Sequence, residues 1–193
     1  MLSKKETACF TGHRELREPY QALFLKTQKE VEILIQNGYR FFGTGGARGF
    51  DSLAAEVIIH LKERYPHIHL ILVLPFPRPY LREKGWSRED IAQHEKHTCN
   101  ASKVVYVQKA YSIGCYYQRN RHLIDASSVC IAYQYKATGG TAYTTRYAHQ
   151  RGLQIIAIEK EHNQVVPRRA AMAVSDSLHK PVTSTHSNTA SPD

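Results

Sequence analysis

Residues 41–56 read FFGTGGARGFDSLAAE. A short apolar run ends in four glycines within seven residues, and an apolar pattern at helical spacing begins straight after. Glycine carries no Cβ, so such a loop turns tightly and brings its amide N–H groups close to a ligand. The helix beyond it directs the positive end of its dipole, with its unpaired N–H groups, at the same place. Two readings stand at this level. One is an oxyanion cradle, above all for phosphate; the other is a strand-to-helix turn that needs glycine for packing. Neither common phosphate fingerprint is present. The stretch lacks the Lys-Ser/Thr that closes a P-loop, and its glycines are not spaced G-x-G-x-x-G.

Outward from that stretch the same pattern repeats. Residues 7–11 (TACFT) form a β-prone run ending at Gly12-His13-Arg14. Pro19 suits the first turn of a helix, where its missing N–H costs nothing. Leu23, Thr27, Val31, Leu34 and Ile35 follow at helical spacing, and Gly38 is placed to cap the end. Residues 39–43 are the second strand. Asp51 or Ser52 is placed to cap the next helix, whose apolar face is Leu53, Ala54, Val57, Ile58 and Leu61, and Pro66 ends it. Residues 68–74 (IHLILVL) are almost continuous in β-branched residues and leucine, as a strand buried on both faces is. Pro75, Pro77 and Pro79 impose an extended loop, and Ser87 with Asp90 makes a capping box for a helix to about His97. A fourth strand spans 103–107, and the next helix carries Tyr116, Asn120, Leu123 and Ile124. A fifth strand (128–133) leads through KATGGT (136–141) into a helix to about Gln150, and the sixth strand is 153–158.

Six strands in strict alternation with helices predict an α/β, Rossmann-like fold: a mostly parallel six-stranded sheet with helices on both faces. Ligands in such sheets sit beyond the carboxyl ends of the strands. The unusual residues of this chain fall there. His13 and Arg14 follow strand one, Gly45, Gly46 and Gly49 follow strand two, and Gly139, Gly140 and Thr141 follow strand five. That convergence favours the cradle over the packing turn.

At 193 residues the chain suits one domain, expected over 1–159, with a low-complexity tail over 160–193 that is disordered or partly helical. No apolar run reaches the length of a membrane span, and the N-terminus is too short and mixed for a signal peptide. Four scattered cysteines without a C-x-x-C pair suit a reducing cytoplasm. The net charge of +9 raises a nucleic-acid partner, but the basic residues form no run within 101–159, where seven Lys/Arg face two Asp/Glu.

Four motifs, T-G-H-R (11–14), GTGGARGFDSLAAE (43–56), QRNRHLID (118–125) and GGTAYTTRYA (139–148), together resemble the YpsA-like branch of the SLOG superfamily. That superfamily also includes the DprA single-strand DNA-binding proteins and the LOG phosphoribohydrolases. The resemblance covers about residues 8–158 and implies a pocket for a nucleotide or a nucleotide-derived ligand such as ADP-ribose. It implies a first-strand loop of Gly12, His13 and Arg14 and a central loop of Gly45, Gly46, Gly49 and Asp51. It further implies roles for Arg119, Asn120 and Asp125 in the penultimate helix, and for Gly139, Gly140, Thr141 and Thr144 in a second phosphate loop. LOG enzymes follow a proline-glycine-glycine loop with a glutamate. Here Thr138 precedes the glycines, and Thr145, Arg146 and Tyr147 stand where the acid would be. No winged-helix segment of the DprA kind is expected after the core.

For acid/base chemistry the candidates at strand ends are His13, Asp51 and Asp125. Asp51 also reads as a helix cap, and Asp125 as the structural ion-pair partner of Arg121 four residues before it. Arg14, Arg48 and Arg146 present forks that match phosphate, and equally read as surface residues. His94 and His97, three apart on a polar helix face, read as exposed side chains, and no metal site is expected. Of the tyrosines late in the chain most read as packing, with one or two available to stack on a base. The reading is therefore a cytoplasmic nucleotide-ligand binding module, a sensor or regulator. Its alternatives are a nucleotide or N-glycosidic hydrolase and a single-stranded nucleic-acid binder; self-association is left open.

Overall fold

The computed structural model describes residues 3–158. The expectations for 160–193 fall outside those residues. Within them the chain runs β1 (Thr7–Gly12), α1 (Tyr20–Gln36), β2 (Phe41–Thr44), α2 (Phe50–Arg64), β3 (His69–Leu74), α3 (Arg88–Asn100), β4 (Lys103–Tyr106), α4 (Cys115–Asp125), β5 (Val129–Tyr133), α5 (Gly140–Gln150) and β6 (Gln154–Ala157). All neighbours pair in parallel, in the order β4-β3-β2-β1-β5-β6. The expected six-stranded α/β sheet is therefore present, and it is wholly parallel.

The alternation of side chains sorts the core into two layers. Ala8 and Phe10 of β1, Phe42 of β2, Leu70, Leu72 and Leu74 of β3, and Val129, Ile131 and Tyr133 of β5 pack with the apolar faces of α1 and α2. Cys9, Ile71, Val73, Cys130 and Ala132, one residue out of phase, pack with Leu123 and Ile124 of α4 and Ala148 of α5. The chain thus winds outward from β1 to β4 and then returns to the other side of β1 for β5 and β6. The winding direction reverses between β1 and β5, where Gly12 stands in register with Tyr133. Loops leaving neighbouring strands diverge at such a point and open a crevice above the sheet.

Helix α3 has no apolar stripe and docks by hydrogen bonds instead. Its capping box forms, with Asp90 N–H donating to Ser87 Oγ and Ser87 N–H to Asp90 Oδ2. On the side facing α2, Ser52 Oγ donates to Gln93 Oε1 at 3.0 Å, and His97 Nε2 meets Glu56 Oε1 at 2.8 Å. His94 Nδ1 lies 2.9 Å from the carbonyl of Gly46. The two histidines are therefore buried, 6% and 2% exposed, against the expectation that they face solvent. A buried imidazole is tolerable because each ring has found a partner on the neighbouring element, and neither partner is adjacent in sequence.

The start of α2 also differs from the expectation. Gly49 is the capping residue, no side chain caps the helix, and Asp51 and Ser52 lie inside it. Gly49 has a φ of +79°, and a side chain there would run into the backbone of Arg14. The loop after β1 crosses so closely because Phe50 N–H donates to the carbonyl of His13 at 3.1 Å. Among the described residues, no helix is long and apolar enough to cross a membrane.

Candidate ligand-binding site

A cavity of about 550 Å³ opens at the reversal point, at the carboxyl end of the sheet. Its floor and one wall are Thr11, Gly12, His13 and Arg14, the end of β1 and the loop beyond. His13 N–H donates to the carbonyl of Tyr133, so this loop is tied to the end of β5. The opposite wall is the start of α5, with Gly140, Thr141 and Thr144. The roof comes from α4, through Tyr116, Tyr117, Arg119 and Asn120, and Tyr135 and Lys136 close the β5 side. Nine of the residues singled out in the sequence meet here: Gly12, His13, Arg14, Asp51, Arg119, Asn120, Gly140, Thr141 and Thr144.

The glycine loop after β2 does not bare its backbone to this cavity as a simple cradle would. Asp51 turns back from the first turn of α2, accepts the Ala47 N–H at 3.4 Å and pairs with Arg119 Nη1 at 3.1 Å. The guanidinium lies against Gly45, where a Cβ would overlap Arg119 Nη1, so this glycine makes room for the ion pair. Gly46 faces the other way, towards Leu74 and His94. Gly45, Gly46, Arg48 and Gly49 stand outside the lining, although Ala47 and Asp51 belong to it. Arg48 rests against Gly85, and its Nε is buried without a partner among the described residues.

Both members of the Asp51–Arg119 pair are 7% exposed. Burial raises the Asp51 pKa, and the guanidinium charge and the Ala47 amide oppose that rise. Arg119 keeps donors in reserve, since its Nε has no acceptor among the described residues. His13 takes the opposite direction: burial, then the charges of Lys136 and Arg17, lower its pKa. It accepts the Lys136 N–H at Nε2, which assigns the ring proton of the neutral form to Nδ1. The His13 ring lies 4.0 Å from that of Tyr135, and Arg17 covers the same tyrosine ring.

The second glycine pair behaves as the first does not. Gly139 caps α5 with a φ of +94° and no capping side chain, and nothing stands within 4 Å of where Cβ atoms would be at Gly139 or Gly140. The mouth of this turn at Gly139 and Gly140 is therefore unobstructed, and no side chain caps its amides. Asn120 Nδ2 donates to Thr144 Oγ1, which donates to the carbonyl of Gly140, so α4 braces this turn at 2.8 Å per bond. Arg146 points to the carbonyl of Ala137 and stiffens the loop from behind.

Asp125 lies apart. It ends α4 at the opposite edge of the sheet, beside a small hollow shared with Thr7, the first residue of β1. Its partners are the Tyr147 hydroxyl and Arg151 Nε at 2.9 Å; no bond to Arg121 forms, and that arginine donates to Tyr143. Sequence reasoning had no hold on Lys136 or Glu15, which line the cavity, nor on Glu83, which pairs with Arg14 at its rim. The one available signal was the position of Lys136 in the loop after β5, opposite His13.

Several known proteins are similar to this chain. The model of the YspA SLOG family matches residues 11–162. The uncharacterized SPbeta prophage-derived protein YoqJ of Bacillus subtilis is 29% identical over 132 residues, 61% of this chain and 75% of that one. A UPF0398 protein of Bacillus pumilus is 28% identical over 131 residues, 66% of this chain and 69% of that one. Among solved structures, DNA processing protein A from Helicobacter pylori, described for its single-stranded DNA binding mode, superposes with a TM-score of 0.57 at 19% identity. It covers 84% of this chain and 68% of its own. DprA from Streptococcus pneumoniae gives a TM-score of 0.53 at 15% identity over 80% of this chain and 50% of its own. At such identities these two structures bear on the fold.

Proposed function

The chain belongs to the YspA SLOG family, and from that premise we propose that it is a binding module for a nucleotide or nucleotide-derived ligand, acting as a sensor or regulator. One observation carries this reading. The uncapped first turn of α5 faces Arg14, Arg119 and Lys136 across a cavity of about 550 Å³, within the size range of small-ligand sites. Amides of an open helix start and cationic side chains together favour phosphate oxygens. A base or ribose then rests towards Tyr117, which is 50% exposed, or Tyr135. An ADP-ribose-like ligand is the finer form of the proposal.

Turnover is the weaker reading because neither carboxylate candidate of the sequence, Asp51 or Asp125, stands free in the cavity. Asp51 is engaged by Arg119 and Ala47, and Asp125 is at the far edge of the sheet. The free thiols Cys9, Cys99, Cys115 and Cys130 suit a cytoplasmic site of action. The test is incubation of the full chain with ADP-ribose and with AMP, followed by thermal unfolding and by chromatography of the ligand. Stabilisation with the ligand recovered intact is expected, about 2.7 kcal/mol at a hundredfold excess over Kd. Absence of stabilisation overturns the reading, and appearance of free base or ribose phosphate favours the hydrolase.

A second reading is supported by the likeness to DNA processing protein A, described for single-stranded DNA binding. Tyr117, half exposed and edge-on to Tyr143 at 4.7 Å, gives the rim a ring on which a base could stack. Oligonucleotide affinity that falls steeply with salt supports it; affinity indifferent to salt removes it.

A further inference from the structure

The two arginines of the cavity are both already neutralised, in different ways. Arg119 is paired with Asp51 inside the wall. Arg14 is paired at 3.0 Å with Glu83, which comes from the segment between β3 and α3 and reaches the rim from outside the lining. Two donors converge on that one carboxylate. Arg14 Nη2 meets Oε1 and Trp86 Nε1 meets Oε2 at 3.1 Å, and the charge of Glu83 acts on the Tyr116 phenol. Burial, then the charge of Glu83, raises the Tyr116 phenol, which therefore stays protonated and neutral. The Glu83 side chain is 12% exposed and that of Arg14 46%, so a ligand can reach the guanidinium while the carboxylate holds it from the protein side.

We propose that Glu83 sets a charge threshold at the Arg14 end of the cavity, so that the ligand carries a dianionic terminal phosphomonoester rather than a phosphodiester or carboxylate. The proposal rests on the reading of the cavity as a nucleotide site and narrows it, since ADP-ribose, whose two phosphates are both esterified at each end, should bind less tightly than a nucleoside monophosphate. A monoanion at Arg14 either replaces Glu83, exchanging one single charge for another and breaking the Trp86 bond, or stays beside it and is repelled. A phosphomonoester brings about 1.5 to 2 negative charges and three acceptor oxygens. It therefore binds the guanidinium more strongly than the carboxylate that it displaces.

The experiment titrates AMP and its 5′-methyl phosphate ester, alike except for the terminal charge, into the full chain and into Glu83→Gln and Glu83→Asp. The parent should prefer AMP by about tenfold or more. Glu83→Gln should gain affinity for the methyl ester and lose most of the preference, whereas Glu83→Asp, which keeps the charge, should retain it. Trp86, the one tryptophan of the chain, gives a second readout, because AMP but not the ester should shift its emission as Glu83 leaves. A preference unchanged in Glu83→Gln, or a parent without preference, overturns the role of Glu83 while leaving the nucleotide site standing. No binding of either compound to any of the three proteins overturns both. Unfolding midpoints of the two variants, compared with the parent, separate a failed fold from a changed affinity, and a folded Glu83→Gln with the parent's selectivity counts against the proposal.

Discussion

Replacing Arg119 by methionine should produce a protein whose penalty, relative to the parent, shrinks as the pH falls. The guanidinium and the Asp51 carboxylate meet at 3.1 Å with side chains 8% and 9% exposed. Breaking such a buried pair by removing one partner costs about 3–5 kcal/mol, because the survivor is an uncompensated charge. In Arg119→Met the survivor can escape by taking up a proton. Burial already raises its pKa, and the substitution deletes the largest opposing influence. Protonating a carboxyl whose unfolded pKa is about 3.9 costs about 1.36 kcal/mol per pH unit above that value. The ceiling on the penalty from the stranded charge is thus about 4 kcal/mol at pH 7 and about 1.5 kcal/mol at pH 5. The sign follows from proton counts: the folded variant holds a proton that the unfolded chain has released, so stability declines as the pH rises. Asp51→Asn has no such escape, since a guanidinium does not deprotonate in proteins. Its penalty should stay about 3–5 kcal/mol across the same range. The double variant leaves no buried charge and should cost clearly less than the two singles together. Urea unfolding of the four proteins at pH 5, 6 and 7 measures all of this. A pH-independent penalty for Arg119→Met, or a double variant equal to the sum, would refute the account of the pair.

Two further outcomes are expected. His94 and His97 are held neutral by burial, with folded pKa values below the ordinary 6.5, so their contribution is present above about pH 6.5 and lost as the pH falls through the folded values; His94→Gln, which keeps a donor for Gly46, should flatten the acid limb of a urea-midpoint profile, and an unchanged slope would count against it. Lys136→Ala should weaken AMP binding by roughly 1–3 kcal/mol if it makes a charge-assisted contact, whereas Arg48→Ala, whose guanidinium rests on Gly85, should leave calorimetric affinity nearly unchanged.

The Asp51–Arg119 pair also marks where reading the sequence stops. Both residues were legible as site candidates, Asp51 after strand two and Arg119 in the penultimate helix. Their contact was not, because 68 positions separate them and no periodicity relates one to the other. The same holds for the glycines. Their density announced a tight turn, but whether each bares an amide or yields space to a neighbour depends on what packs there. Gly45 yields to Arg119 and Gly46 turns to Leu74 and His94, whereas Gly140, with the same local chemistry, faces open space. His94 and His97 were misplaced to the surface for the related reason that their partners, Gly46 and Glu56, belong to other elements.

What the sequence by itself determined is the set of properties that local rules carry. The period-two and period-3.6 patterns placed six strands and five helices in alternation, and alternation implies parallel pairing and ligands at the carboxyl edge. The tertiary structure alone decided which loops share a cavity, since the winding reverses between β1 and β5 and only that reversal sets the loop after β1 against the start of α5. It also decided that Asp125 belongs to the far edge and that Glu83 belongs to the rim. Side-chain periodicity is written by neighbours within one element, whereas charge pairing and cavity shape are written by residues that only the folded chain brings within a few ångströms.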